Sequence, residues 1–533
     1  MAPVSILPDL DGSLGIALLC FVLLTVLYTI NVLFFRVASP KGVPLIREPP
    51  GNTSFSFKTR LAYFTDCKSL YREAYENYSK KGKVVIIPGF GVRQEIILPT
   101  SSLGWALKQP ETVLSVGDAF AEVDQAHYSL GHSKYVTDAW QGHLVKTELN
   151  HVLENIVAAL NDELGIAFSA YFGTDEDEWK VIDLLETIRM VVAQAASRFT
   201  VGLPLCRDVQ YIRDCFDAID GCIINAGVTG GTPPMLRPLV GPIAGLKTQL
   251  AQRKVRKHFE PIYRARLETL KYAKDDPQHV EPQDHLQMMI RFAQKERPDE
   301  LYDLDVMARR LTSANFGSMH QTSIQASNML LNILGSDTEY NTIAILRDEV
   351  NQVMGTDTEW TKAKVSKMIK ADSVARETLR CHSFGGRAVF RKVLTHGVET
   401  DTGIKLPKGS LISFLSQPVH TDEDMYEEAL KYDPFRFSRI RESDPDSTKI
   451  NTLSFVSTSP NYLSFGHGKH ACPGRFLIDF ELKMIIAYVL MNYDIKFPEE
   501  YGGKRPENRW LTEAIMPPDG VKVSIKRRKA TTS

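Results

Sequence analysis

Hydrophobic and polar positions divide this chain into two regimes. Leu14 to Phe35 is an almost unbroken apolar run of about 22 residues, enough to cross a bilayer as a helix. No Lys or Arg precedes it, and it is long for the core of a cleaved signal peptide, so residues 14–35 read as a retained anchor. Arg36, Lys41 and Arg47 follow, which by the positive-inside rule puts the body of the protein in the cytosol and residues 1–13 in the lumen. Pro40, Pro44, Pro49 and Pro50 then stiffen residues 36–50 into a hinge.

Beyond the hinge the period changes. Val84 to Ile87 and Glu95 to Leu98 are short β-prone runs separated by Pro88-Gly89-Phe90-Gly91, which predicts a hairpin. From Asp138 to Leu270 the apolar residues recur at helical spacing. Gly227-Val228-Thr229-Gly230-Gly231-Thr232-Pro233-Pro234 predicts a break there. The apolar stretch after it, Met235 to Leu246, carries Pro238 and Pro242 and reads as a loop. Lys274 to Gln278 predicts a solvated turn. Asp303 to Leu334 predicts one long helix closed by Gly335. The basic end after Ser524 predicts a disordered tail.

Composition narrows the field only a little. A formal net charge of -1 gives no reason to expect a nucleic-acid partner. The seven cysteines are scattered without a C-x-x-C pair, which suits a reducing compartment and unpaired thiols.

One cysteine stands apart. Phe465-Gly466-His467-Gly468-Lys469-His470-Ala471-Cys472-Pro473-Gly474-Arg475 sets Cys472 in a glycine-rich loop ahead of a helix-compatible run. Gly468 and Gly474 permit turns and close approach, Pro473 suits a first helical turn, and a helix N-terminus favours an anionic sulfur. A loop so built suits presenting a thiolate to a flat metal cofactor. The full pattern F-x-x-G-x-H-x-C-x-G resembles the haem-ligand signature of the cytochrome P450 family.

That resemblance extends over nearly the whole chain after the hinge. Glu377-Thr378-Leu379-Arg380 and Pro434-Phe435-Arg436-Phe437 resemble the E-x-x-R and P-x-R-F motifs. They imply a buried structural cluster of Glu377, Arg380 and Arg436. His470 and Arg391 match positions that contact haem propionates, with Arg387 as the rival of Arg391. Trp140 and Lys146 lie near a third family contact, but the W-x-x-x-R spacing is absent. Phe465, Gly468 and Gly474 complete the cofactor loop, and Cys472 is the implied iron ligand.

The long helix departs from the family. At Gly317-Ser318-Met319-His320-Gln321-Thr322 the usual acid is His320 and the usual Thr is Gln321, with Thr322 next. Gly317 and Ser318 keep the small side chains that let the helix bulge. His320, with an ordinary pKa near neutrality, is the candidate proton relay. Gln321, Thr322 and ordered water are the candidates for the work of the missing Thr.

The implied fold is mainly α with a smaller β lobe, residues 51–533 forming one P450 catalytic domain around heme b. No flavin or nicotinamide motif is recognisable, so the resemblance implies O2 and electrons from NADPH–cytochrome P450 reductase on the same endoplasmic reticulum membrane. Lys469 and Arg475 are candidate parts of its docking face. Ser115 to Leu130 and Pro418-Val419-His420-Thr421-Asp422 look like segments of the filamentous-fungal membrane group. The implied reaction is monooxygenation of an apolar secondary metabolite, a terpenoid in the first place, with an indole alkaloid or polyketide as alternatives. Met235 to Leu246 falls where such proteins dip a loop into lipid. A reductase-independent rearrangement or dehydration, and haem binding without catalysis, are the competing readings.

Overall fold

The computed structural model describes residues 13–30, 37–272, 280–355, 357, 359–443 and 450–529. The expected turn at 274–278 and residues 1–12 of the N-terminus expected to be lumenal (1–13) lie outside these. Among the described residues no helix is long and apolar enough to cross a membrane. The helix Ser13–Ile30 has 18 residues, about 27 Å of rise, and residues 31–35 of the expected anchor lie outside the described ones.

The helical part is built around one central rod. Asp303 starts it by accepting hydrogen bonds from the N–H groups of Asp305 and Val306, an N-cap. The rod runs as Leu304–Asn315, widens to a π-type turn at Phe316–His320, and continues as Gln321–Tyr340. The predicted stop at Gly335 is therefore wrong. Asn341, left-handed at φ 53°, ends the helix instead. Gly335 serves close approach: a Cβ there would sit 2.8 Å from the Cβ of Arg505.

Four helices surround the rod and share its apolar core: Trp140–Tyr171, Leu184–Thr200, Ile369–His382 and Arg475–Asn492. Above it lies Val209–Gly231, capped by Asp208. This helix runs straight through Gly227, Gly230 and Gly231, so the predicted break comes late, at Thr232 and the two prolines. Met235 to Leu246 is also no loop. Most of it forms the helix Arg237–Ala244, whose Leu239 and Ile243 are 67% and 69% exposed.

The β lobe holds a five-stranded sheet in the order Val85–Pro88, Gln94–Ile97, Leu411–Leu415, Arg387–Val393, Leu114–Ser115. Its first two strands form the predicted hairpin, Val85 opposite Ile97. The second joins Leu411–Leu415 in parallel, Ile97 opposite Ser413. The expected hinge is partly stitched to this sheet: Ile46 N–H donates to Ile86 and Ile86 N–H to Pro44, both at 3.0 Å. The basic end is ordered too. Lys522–Arg527 is the middle strand between Lys180–Asp183 and Tyr493–Lys496. Burying Val523 and Ile525 there offsets the charge of Lys526 and Arg527 on the tail.

Candidate active site

The cysteine loop folds on its own backbone. Gly466 and Gly468 take φ of 67° and 73°, conformations an L side chain resists. Cys472 N–H donates to Phe465 O at 2.8 Å, and Ala471 N–H to Gly468 O at 3.1 Å. The helix Arg475–Asn492 starts after Gly474, so Pro473 precedes its first turn rather than occupying it. Gly474 needs no unusual φ; a Cβ there would stand 4.0 Å from the Cys472 sulfur. Burial pushes the Cys472 thiol up, while the N–H groups of Gly474 and Arg475 and the Arg475 charge act the other way. Arg475 donates to the carbonyls of Cys472 (2.8 Å) and Val456 (3.1 Å), so it braces the loop rather than standing free to dock a partner. Lys469 is exposed.

Two basic residues converge beside this loop. Arg391 is buried, and among the described residues the one side-chain hydrogen bond it makes goes to its neighbour's carbonyl, Phe390 O, at 2.8 Å. Burial lowers its pKa to about 10, against the weak pull of Glu111. His470 lies 3.4 Å from Glu111, and its pKa is lowered by burial and then by Arg391. A buried guanidinium without a carboxylate partner is costly unless an anion joins it. A half-buried cysteine sulfur with this cation nearby fits a haem group and its propionates. Arg387, the rival, is fully engaged with Glu95 and Glu513. Trp140 is also engaged elsewhere, donating to Glu300 at 3.1 Å, whereas Lys146 reaches Lys469 O at 3.3 Å.

The Glu377 cluster is assembled as the motifs imply. Arg380 donates Nε to Glu377 Oε2 at 2.8 Å and Nη2 to Oε1 at 2.7 Å. Arg436 Nε reaches Glu377 Oε1 at 3.1 Å. Arg380 also donates to the carbonyls of His420 and Ala429, both at 2.6 Å. His420 carries the connection onward, accepting the Leu463 N–H at 2.9 Å, two residues before Phe465. Sequence reasoning marked Pro418 to Asp422 only as a turn and missed this tie. It also missed Asp372, which joins Lys483 (2.9 Å) and Arg441 (2.7 Å) to the Phe455 N–H (3.0 Å). Their spacing in the chain carries no periodic signal.

The central rod shows how its three candidates divide. Gly317 and Gln321, four apart on one face, are exposed although the helix from Thr322 to Leu334 is buried. Thr322 points the other way: its hydroxyl is buried and, among the described residues, without a partner, as is that of Ser318. His320 sits between Phe316 and Phe384, ring centroids 6.3 and 5.9 Å away. Burial depresses its pKa to about 4, so the imidazole is neutral near pH 7 rather than poised at neutrality.

Comparison with known proteins agrees with this geometry. The family model described as Cytochrome P450 matches residues 147–525. Cytochrome P450 monooxygenase pbrC of Penicillium brasilianum is 53% identical over 500 residues, 93% of each chain. The astC monooxygenase of Aspergillus terreus is 52% identical over 503 residues, 93% of this chain and 94% of that one. The tenB monooxygenase of Beauveria bassiana is 46% identical over 497 residues, 92% of each. Among solved structures, the retinoic-acid-bound cyanobacterial CYP120A1 superposes with a TM-score of 0.65 at 17% identity, over 92% of this chain and all of its own. The chain belongs to the cytochrome P450 family. It is a haem-thiolate monooxygenase of the fungal type.

Proposed function

We propose that this enzyme oxidises an apolar secondary metabolite, a terpenoid skeleton first among the candidates, in a fungal biosynthetic pathway. The observation that carries this reading is the Cys472 loop with the buried Arg391, which has no carboxylate ion pair among the described residues, beside it. When bound, heme b supplies the activation of O2 for insertion of one oxygen atom. Cys472 would ligate the haem iron through its thiolate, with Phe465, Gly468 and Gly474 shaping its loop. His470 and Arg391 would hold the propionates. Glu377, Arg380 and Arg436 lock the scaffold that carries the loop.

Gln321 and Gly317 line the open face of the rod, where a substrate and ordered water would lie. Gln321 orients water through its amide on that face and neutral His320 continues the proton path, whereas the Thr322 hydroxyl, turned from the open face, takes part only if water reaches it from the other side. Electrons come from NADPH–cytochrome P450 reductase on the endoplasmic reticulum membrane, with residues 14–35 as a single-pass anchor and the catalytic domain in the cytosol. The exposed Leu239 and Ile243, together with Phe57, Leu61 and Phe64 on the helix Phe57–Thr65, support contact with lipid.

Deleting the gene in its source fungus and comparing metabolites by mass spectrometry tests the reaction. Loss of a product, with a less oxygenated precursor accumulating, is expected. A precursor of equal oxygen count would replace monooxygenation by rearrangement.

A further inference from the structure

A cavity of about 330 Å³ lies apart from the cysteine loop. The helices Trp140–Tyr171, Leu184–Thr200 and Leu246–Tyr272 wall it, together with residues 202–203 and 282–284. None of its lining residues comes from the cysteine loop, the rod or the five-stranded sheet. Ile156, Leu160, Phe199 and Leu203 supply apolar wall. The volume falls at the lower end of small-molecule pockets, roughly 300–1,000 Å³.

The polar groups around this cavity are unequally satisfied. Arg266 donates twice to Asp284, both side chains being buried, and once to Val201 O at 3.0 Å. Asp284 also accepts the Gln287 N–H at 3.0 Å. Gly202, at φ 71°, makes room for this pair, since a Cβ there would stand 2.7 Å from Asp284 Oδ2. Asn155 donates to Gln283. Arg198 is different: among the described residues its guanidinium makes no hydrogen bond, and its Nε stays 3.8 Å from Glu163. Glu163 is already taken. Arg207 donates Nε to both of its oxygens at 3.1 Å and Nη2 to Oε2 at 3.0 Å, and Gln194 donates to Oε1. The cavity thus offers an apolar wall and one under-used cation, while its one lining carboxylate, Asp284, is saturated. A partly buried guanidinium so placed gains most from an anionic acceptor.

We infer that this cavity is a second small-molecule site, taking an apolar carboxylate whose chain lies against Ile156, Leu160, Phe199 and Leu203 and whose head meets Arg198. An apolar amine is disfavoured by like charge. The helix Leu184–Thr200, which carries Arg198 and Phe199, also packs along the rod. A molecule in this cavity therefore binds one helix away from the rod, beside the substrate rather than in its place. The inference stands apart from the haem-thiolate reading.

The test uses the haem-loaded full chain saturated with 1-phenylimidazole, whose Soret shift shows the haem face filled. Octanoate and 1-octanol are then titrated by calorimetry. Octanoate is expected to bind saturably at one site, about tenfold tighter than octanol, the scale of one hydrogen bond to a charged group. Arg198→Met is expected to erase that preference while leaving octanol affinity, haem content and melting temperature unchanged. Ala159→Phe, which fills the cavity from a lining position, is expected to abolish binding of both probes. An intact azole Soret shift shows that this variant is folded. No saturable octanoate binding, equal affinity for the two probes, or a preference that survives Arg198→Met overturns the inference. A missing azole response overturns the haem-thiolate reading alone, because the two variants still locate octanoate in this cavity.

Discussion

His420 shows how a single side chain reaches the cofactor loop without touching it. Its ring accepts the Leu463 N–H while its carbonyl receives Arg380. Burial, and then the charges of Arg380 and Arg376, depress its pKa to about 3, against about 6.5 in an unfolded chain. Between those values the unfolded chain binds the extra proton, so stability falls as pH drops from about 6.5 toward 3. Thermal melts at pH 7 and pH 5 are expected to show this loss. It should be smaller in His420→Gln, which keeps an acceptor for Leu463 but does not titrate. The cysteine ligand has its own test. Cys472→Ser is expected to abolish the thiolate signature in the carbon monoxide difference spectrum and all turnover. At this scale the sequence was most legible where chemistry is contiguous, as in the cysteine loop. It was least legible for Asp372, whose partners Arg441, Phe455 and Lys483 come from distant segments.

Among the elements, the widening at Phe316–His320 was legible because Gly317 and Ser318 are small at a place where the family bulges. The two glycine misreadings share one cause. Gly227 to Gly231 and Gly335 looked like breakers, yet tertiary packing kept both stretches helical. Gly335 gives way to Arg505, and Gly231 receives the hairpin turn, where a Cβ on Gly91 would press its backbone. A Cβ on Gly317, in contrast, meets nothing within 4 Å. Gly317→Ala is therefore expected to melt at the same or a higher temperature, by up to about 1 kcal/mol of helix propensity. It should also weaken binding of bulky azoles, read by Soret titration, because the methyl enters the open face. The Glu377 cluster joins three segments, so Glu377→Ala leaves buried cations unpaired. A loss of roughly 3–5 kcal/mol is expected, seen in denaturant melts and as haem-poor protein.

For the molecule as a whole, attachment to lipid is expected to have two parts. A chain lacking residues 1–36 should still partition with membranes, and adding Leu239→Asp and Ile243→Asp should release it on sedimentation. The domain class was legible from motifs spread between Glu377 and Arg475. The lipid-side place of Met235 to Leu246 was read from resemblance, but its helical form, Arg237–Ala244, was not, since its prolines read as loop. The parallel pairing of Ile97 with Ser413 sets a timetable for the nascent chain. These partners lie 413 − 97 = 316 residues apart, so at ribosomal speed the hairpin waits roughly 15–60 s for the strand that completes its sheet. Through that interval Ile86, Ile87, Ile96 and Ile97 have no finished sheet to bury them. Slowing or accelerating synthesis should therefore change the yield of this protein more through its first hundred residues than through the helices made later.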